Sequence, residues 1–320
     1  MRFSSRIGEI QFSLGRNAVG PEQWQEDIEG WNTEKVLAKT GVEQTWICDN
    51  DETALDLALA ATQQLSGLGS VDTLVYVSQS NDYFLPNSAS VLHGKLGLDR
   101  TCKSFDVNLG CSGFVYALWL VTALQATNQS SQALIVCADT YSKFIDAGDR
   151  TSRPLFSDAA SATIVEACSD GPSSIGPFAL GTDGEGFDAL IVRGGSARGK
   201  FAGTDAVLDM NGSRVFLFTM STVYDSIVEF MAQQEIGADG IDKFFFHQAS
   251  KLVLDQLESK LELEPAKVYR GLSQIGNTVS SSLPIALRQA RDSGALARGD
   301  KLLLSGFGVG LSWANCLVEW

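Results

Sequence analysis

The chain carries an internal duplication with an offset of about 170 residues. Three pairs of short segments keep this offset and the same order along the chain. The pairs are VDTLVYVSQS (71–80) with IDKFFFHQAS (241–250), GCSGF (110–114) with GNTVS (276–280), and QALIVCAD (132–139) with DKLLLSGF (300–307). Each copy reads as strand, turn, helix and strand, with strands rich in Val, Leu, Ile and Phe. The pattern predicts two α/β halves related by a pseudo-twofold axis.

A segment rich in Gly, Ser, Pro and Asp separates the two copies. It reads SDGPSSIGPFALGTDGEG and covers residues 169–186. Such a composition is typical of a crossover between folded units. We therefore expect an N-terminal half at 1–170 and a C-terminal half at 171–320.

Composition restricts the classes of function. The chain has 320 residues, 44% of them apolar and 19% charged, which is typical of a globular protein with a sizeable core. Its net charge of −14 argues against binding to nucleic acids or anionic membranes. No apolar run approaches the roughly 18 to 20 residues that span a bilayer, and the first residues lack the apolar core of a signal peptide. We expect a cytoplasmic protein.

The six cysteines show no CxxC pairing, and a chain of this length builds a core without disulfides, so we expect reduced thiols. With only two histidines we expect no structural metal site. Cys137 sits inside an apolar strand and reads as core. Cys111 lies between glycines at the start of an apolar helix, where about half a positive charge and unpaired N–H groups lower a thiol pKa. Cys111 is the candidate nucleophile.

Two residues of the second copy are candidate partners of this thiol. His247 follows a buried strand, and Asn277 precedes a helix. Each also has an ordinary structural interpretation. His247 could be a core histidine whose hydrogen bonds are satisfied, and Asn277 could be a turn residue that caps the helix. Pseudo-symmetric packing would bring both side chains to Cys111 at the interface between the halves.

Together these motifs resemble β-ketoacyl-acyl carrier protein synthase III of the thiolase-like condensing enzymes, over nearly the whole chain. The matching segments are KTGVEQTW (39–46), the Cys111 segment, DRTSRPLFSDAASA (149–162), HQAS (247–250), GNTVSSSLPIAL (276–287) and SGFGVGLSW (305–313). The resemblance implies an α/β fold with five αβαβα layers and a homodimer.

The resemblance also implies roles for individual residues. Cys111 matches the nucleophile that accepts an acyl group as a thioester. His247 and Asn277 match the pair that stabilises the enolate left when a malonyl thioester loses CO2. The backbone N–H groups of Cys111 and Val309 would form an oxyanion hole. The implied substrates are acyl thioesters of coenzyme A or acyl carrier protein, with no tightly bound cofactor.

Four residues match substrate-binding positions: Arg150, Ser250, Phe307 and Leu85. Leu85 matches the position that reaches across the dimer into the partner's acyl pocket. Several family features are altered: Lys35 stands where a tryptophan stacks on the coenzyme A adenine, and Trp31 lies four residues earlier. Ser250 replaces an asparagine near the pantetheine path. These changes favour a carrier-protein donor and a specialised fatty-acid or secondary-metabolite pathway.

Other activities stay open at this point. Acyl transfer to a hydroxyl or amine without decarboxylation is one alternative, and a catalytically silent partner subunit is another. A papain-like hydrolase also uses Cys, His and Asn, but its cysteine comes early and no duplication is expected. The aldol-type relatives need a glutamate where Ser80 stands, which argues against that reaction.

Overall fold

Strands and helices alternate along the chain, and the computed structural model describes residues 4–27, 32–168, 174–197 and 206–320. The strands are β1 Ser4–Leu14, β2 Asn17–Val19, β3 Thr45–Ile47, β4 Thr73–Val77, β5 Lys103–Val107, β6 Gln132–Asp139, β7 Ala159–Cys168, β8 Ile175–Thr182, β9 Leu190–Val192, β10 Leu208–Met210, β11 Lys243–Phe246, β12 Lys301–Gly308 and β13 Ser312–Glu319. The α-helices are α1 Pro21–Asp27, α2 Thr33–Thr40, α3 Ala54–Thr62, α4 Ser88–Leu96, α5 Gly113–Ala126, α6 Gly212–Phe218, α7 Tyr224–Gln233, α8 Lys251–Lys260 and α9 Ser282–Asp292.

The two main sheets repeat one strand order. The first runs β1-β7-β6-β4-β5 and the second β8-β13-β12-β11. In each, a central strand pairs antiparallel on one side and parallel on the other: β6 with β7 and β4, and β12 with β13 and β11. A parallel bridge from Phe244 to Val268 occupies the place that β5 has beside β4. The duplicated α/β architecture is therefore confirmed, whereas the boundary at 170/171 falls in residues 169–173, outside the described residues, and stays a prediction.

The buried faces of the two sheets and of the helices show that the fold has five layers. Helix α5 is apolar around its whole circumference, as a helix covered on all sides must be. It packs with α9 between the two sheets, in a core that includes Val75, Ile135 and Leu304. The outer face of the first sheet is covered by α3 and α4, and that of the second by α6, α7 and α8. The order of layers is αβαβα, as predicted.

Each central helix begins at a contact with the opposite half of the chain. At the start of α5, the Ser112 hydroxyl lies 2.8 Å from the Ser312 hydroxyl of β13. At the start of α9, the Ser281 hydroxyl donates to the Cys137 carbonyl of β6 at 2.8 Å. The N-termini of both central helices therefore meet at the interface between the halves.

Residues Gly212–Gln233 form one continuous helical stretch, with a π-helical turn at Thr219–Val223 between α6 and α7. By length and composition alone it is apolar enough to cross a membrane, so the expectation that no run approaches that size does not hold for this helix. A core helix of a soluble protein passes the same test. Ile227 and Phe230 pack on the second sheet, which places the stretch in the outer layer of the fold.

Candidate active site

The thiol of Cys111 lies where α5 meets β12 of the second half. A Cβ added to Gly308 would lie 3.0 Å from the Cys111 sulfur, closer than ordinary van der Waals contact, so the glycine favours the close approach of β12. A Cβ on Gly113 would lie 2.4 Å from a methyl group of Val77, and one on Gly110 would lie 2.9 Å from Val309. The glycines around the cysteine therefore serve close packing of the turn against both halves.

Burial changes the acidity of this thiol in the direction opposite to the prediction. Cys111 is 5% exposed. Removal from water raises the pKa of the Cys111 thiol far above its ordinary value, and the Asp139 carboxylate acts in the same direction. The N-terminus of α5 favours a thiolate, but desolvation outweighs it. The predicted lowering of the pKa is therefore wrong for the enzyme without substrate, in which the thiol is protonated.

His247 continues the ladder beyond β11, since its N–H donates to the Ser305 carbonyl at 2.8 Å. Its Nδ1 lies 2.6 Å from the Ser282 hydroxyl, and the edge of the imidazole meets the Phe307 ring at a centroid distance of 5.7 Å. Burial lowers the pKa of His247 to about 3, so the imidazole is neutral at physiological pH. Nδ1 is held by Ser282, which leaves Nε2 directed toward Asn277.

The orientation of the Asn277 amide is fixed by its neighbours. Its Oδ1 accepts a hydrogen bond from the N–H of Val279 at 2.9 Å, which turns Nδ2 away from that backbone. Nδ2 lies 3.4 Å from His247 Nε2. The polar atoms of both side chains therefore converge on one point. Val279, two residues after Asn277, packs in the same buried cluster as Cys111, which brings the segment of Asn277 next to the segment of the thiol.

Two backbone N–H groups near the sulfur donate to no other described residue. The N–H of Val309 has no hydrogen-bond acceptor among the described residues, and the N–H of Cys111 interacts only with its own sulfur. The Val309 carbonyl accepts from the Ser312 hydroxyl at 2.9 Å, which holds this turn in place. Unpaired N–H groups of this kind are the usual components of an oxyanion hole.

A cavity of about 720 Å³ lies next to the site. Its apolar lining comes mainly from residues 141–144, 187–192 and 206–208, and it extends to Val309 and Gly310. Tyr141, Leu190 and Leu208 also pack in the buried cluster that contains Cys111. The cavity is large enough for an acyl chain bound to the sulfur.

The four predicted substrate-binding residues are not gathered together. Phe307 is buried against His247. Ser250 caps α8, because its side chain accepts from the N–H of Val253 at 3.3 Å. Leu85 is 83% exposed at the tip of a loop, and Arg150 is exposed and lines neither the 720 Å³ cavity nor a second cavity of about 360 Å³. Lys35 lies on α2, whereas Trp31 lies outside the described residues.

Asp139 is a buried carboxylate that the sequence reasoning missed. It accepts hydrogen bonds from the N–H of Gln79 at 2.8 Å and the Ser80 hydroxyl at 3.3 Å in the first half. It also accepts from the Ser280 N–H at 3.3 Å and the Ser280 hydroxyl at 2.5 Å in the second. Ser80 therefore faces Asp139 rather than the cavity. The sequence did contain a signal for this residue, because Asp139 is the only acid in the apolar strand QALIVCAD and stands at its end.

We expect Asp139 to make stability depend on pH. Burial raises its pKa from 3.8 to about 6, so the folded state binds a proton that the unfolded state has lost. The free energy of unfolding of the wild type, relative to Asp139→Asn, should therefore fall by about 3 kcal/mol as pH rises from below 4 to above 6. Urea titrations of both proteins across this range measure the difference. A difference that stays constant with pH would contradict the assignment.

In the described part of the chain, no group of three or more His, Cys, Asp or Glu side chains is placed to hold a metal ion. All six cysteines are free thiols. The groups that the site brings together are a thiol, an imidazole, an amide and backbone N–H groups.

Comparison with known proteins agrees with this geometry. Residues 105–184 match the family model "3-Oxoacyl-[acyl-carrier-protein (ACP)] synthase III", and residues 231–320 match its C-terminal counterpart. The β-ketoacyl-[acyl-carrier-protein] synthase III of Clostridium perfringens strain ATCC 13124 is 32% identical over 95% of each chain. A crystal structure of a 3-oxoacyl-(acyl-carrier-protein) synthase III is 39% identical, with a TM-score of 0.95 over 99% of this chain and all of that one.

The priming β-ketosynthase of the R1128 polyketide pathway is also similar, with 27% identity and a TM-score of 0.91 over 99% of this chain and 96% of its own. These matches extend over both halves and include the segments around Cys111, His247 and Asn277. The chain therefore belongs to the 3-oxoacyl-[acyl-carrier-protein] synthase III family, and it is an acyl-transferring condensing enzyme that acts on acyl thioesters.

Proposed function

We propose that the chain performs a decarboxylative Claisen condensation in which Cys111, His247 and Asn277 are the catalytic residues. The observation that carries this proposal is the convergence of His247 Nε2 and Asn277 Nδ2, 3.4 Å apart, beside a buried thiol. Two polar groups aimed at one point are suited to a carbonyl oxygen that gains negative charge.

The first step forms an acyl-enzyme. The Cys111 sulfur bonds to the carbonyl carbon of the acyl thioester, and the donor thiol leaves with the proton of the Cys111 thiol. During attack the carbonyl oxygen becomes an oxyanion, which the N–H groups of Cys111 and Val309 bind. Because the resting thiol is protonated, its proton must transfer as the sulfur attacks, and the N-terminus of α5 stabilises the charge that develops.

The second step consumes a malonyl thioester. Its carboxylate leaves as CO2, and the bonding electrons form an enolate whose oxygen accepts hydrogen bonds from His247 Nε2 and Asn277 Nδ2. The enolate carbon then attacks the acyl carbonyl, the C–S bond to Cys111 breaks, and the thiolate takes up one proton. The product is a 3-oxoacyl thioester. In this step the neutral imidazole carries its hydrogen on Nε2, and Nδ1 then accepts a hydrogen bond from the Ser282 hydroxyl 2.6 Å away.

Several features of the biological setting belong to the same proposal. The enzyme takes its acyl group from acyl carrier protein rather than coenzyme A, because Lys35 stands where the family has its adenine-stacking tryptophan. It acts as a homodimer in the cytoplasm, without a tightly bound cofactor, in a specialised fatty-acid or secondary-metabolite pathway. The exposed Leu85 reaches the partner's acyl cavity. The six free cysteines agree with a reducing compartment.

Release of CO2 tests the condensation. The acyl-loaded enzyme is mixed with carboxyl-labelled malonyl carrier protein, and we expect one labelled CO2 for each 3-oxoacyl product. Sustained turnover with a hydroxyl or amine acceptor and no release of CO2 would instead establish the alternative, acyl transfer without decarboxylation.

A further inference from the structure

One side of the 720 Å³ cavity is polar. Gln79, Asn81 and Asp82 follow β4, and Asn108 follows β5. These strands are parallel neighbours, so their carboxyl ends lie at the same edge of the sheet and present these residues together. The rest of the lining is mainly apolar: Phe144, Phe187, Leu190, Ile191, Val192 and Leu208. A purely hydrocarbon chain would not match the polar side.

Gln79 packs against the turn that carries the nucleophile. A Cβ added to Gly110 would lie 2.6 Å from Gln79 Oε1, so the carboxamide packs against the residue that precedes Cys111. The hydroxyl of Tyr141 donates to the same Oε1 at 2.8 Å, and Tyr141 is 4% exposed. The Gln79 backbone is held by Asp139. Both ends of this side chain are therefore fixed.

The fixed orientation leaves one donor of Gln79 without a partner. Because Oε1 accepts from Tyr141, Nε2 is left as the free end of the carboxamide, and it has no hydrogen-bond acceptor among the described residues. An amide N–H that loses water without gaining an acceptor is costly. An unsubstituted acyl chain would shield Nε2 from water without providing a hydrogen-bond acceptor. An oxygen on the chain would satisfy it.

We propose that Gln79 is a specificity-determining residue that selects acyl groups carrying a hydrogen-bond-accepting oxygen on C3, a 3-hydroxyacyl or 3-oxoacyl group. The inference rests on the proposed function, because it assumes that the acyl group enters this cavity from Cys111. The proximity of the carboxamide to Gly110 restricts its reach to the first carbons beyond the thioester. Gln79 Nε2 donates to the C3 oxygen, while Tyr141 holds the carboxamide in place.

Loading of Cys111 with matched thioesters tests this role. The probes are N-acetylcysteamine thioesters of butanoate and of (R)- and (S)-3-hydroxybutanoate, and intact-protein mass spectrometry measures each acylation rate. We expect the wild type to load one 3-hydroxybutanoyl enantiomer about 5- to 100-fold faster than butanoyl, the range of one hydrogen bond to a buried donor. Gln79→Leu should abolish this preference and load butanoyl faster than the wild type does.

Tyr141→Phe keeps the shape of the cavity but frees the carboxamide, so it should reduce the preference only in part. Gln129→Leu, on an exposed loop, is the matched control and should change neither rate. Equal loading of butanoyl and both hydroxybutanoyl probes by the wild type, or a preference that survives in Gln79→Leu, would overturn the role of Gln79 and leave the proposed function intact. Failure of every probe to load on Cys111 would overturn both.

Discussion

Replacement of Cys111 by alanine should abolish acyl-enzyme formation. The wild type, incubated with an acyl thioester, should gain the mass of one acyl group, and the variant should gain none. The reason is the position of the Cys111 thiol. Among the described cysteines, only Cys111 both packs in the buried cluster next to the cavity and lies at the N-terminus of α5. Intact-protein mass spectrometry, followed by peptide mapping, measures the adduct and its position.

Cys137→Ala is the matched control, since Cys137 is also fully buried but lies inside β6. It should retain the adduct, at a cost in stability of the order expected for a small core truncation, about 1 kcal/mol. An adduct that persists in Cys111→Ala, or that maps to Cys137, would remove Cys111 from the mechanism.

The architecture could be predicted from the sequence because the duplication and the local strand and helix patterns both indicate two similar α/β halves. The segment beginning at Val71 and its counterpart at Ile241 do become equivalent strands, β4 and β11. Alignment of the halves then determines which strand ends meet. The meeting of the Cys111 and Asn277 segments follows from this symmetry, without knowledge of any distance.

What sequence reasoning missed depends on long-range contacts. The bond from Ser280 to Asp139 joins residues 141 positions apart, and no local pattern distinguishes Ser280 from the serines beside it. The direction of the Cys111 pKa was also predicted wrongly. A helix N-terminus can be read from sequence, but the depth of burial that opposes it is set by packing against Gly308 on the opposite half.

Replacement of His247 by alanine should separate the two steps. In the proposed mechanism His247 binds the malonyl carbonyl and takes no part in acyl transfer to Cys111. We therefore expect the acyl adduct to form at a rate close to that of the wild type, whereas condensation falls by about 100- to 1,000-fold, the usual effect of losing one donor to a developing oxyanion. Single-turnover loading and labelled CO2 release measure the two rates on the same preparation.

The second histidine supplies the control for this separation. His93 lies on α4, where its ring bonds the Asp99 carbonyl at 2.9 Å, and His93→Ala should leave both rates unchanged. Because the neutral His247 has a pKa of about 3, condensation by the wild type should show no step from this imidazole between pH 5 and 8. If His247→Ala slowed loading and condensation equally, the imidazole would act on Cys111 itself, as a base for the thiol, and its assignment to the malonyl carbonyl would be wrong.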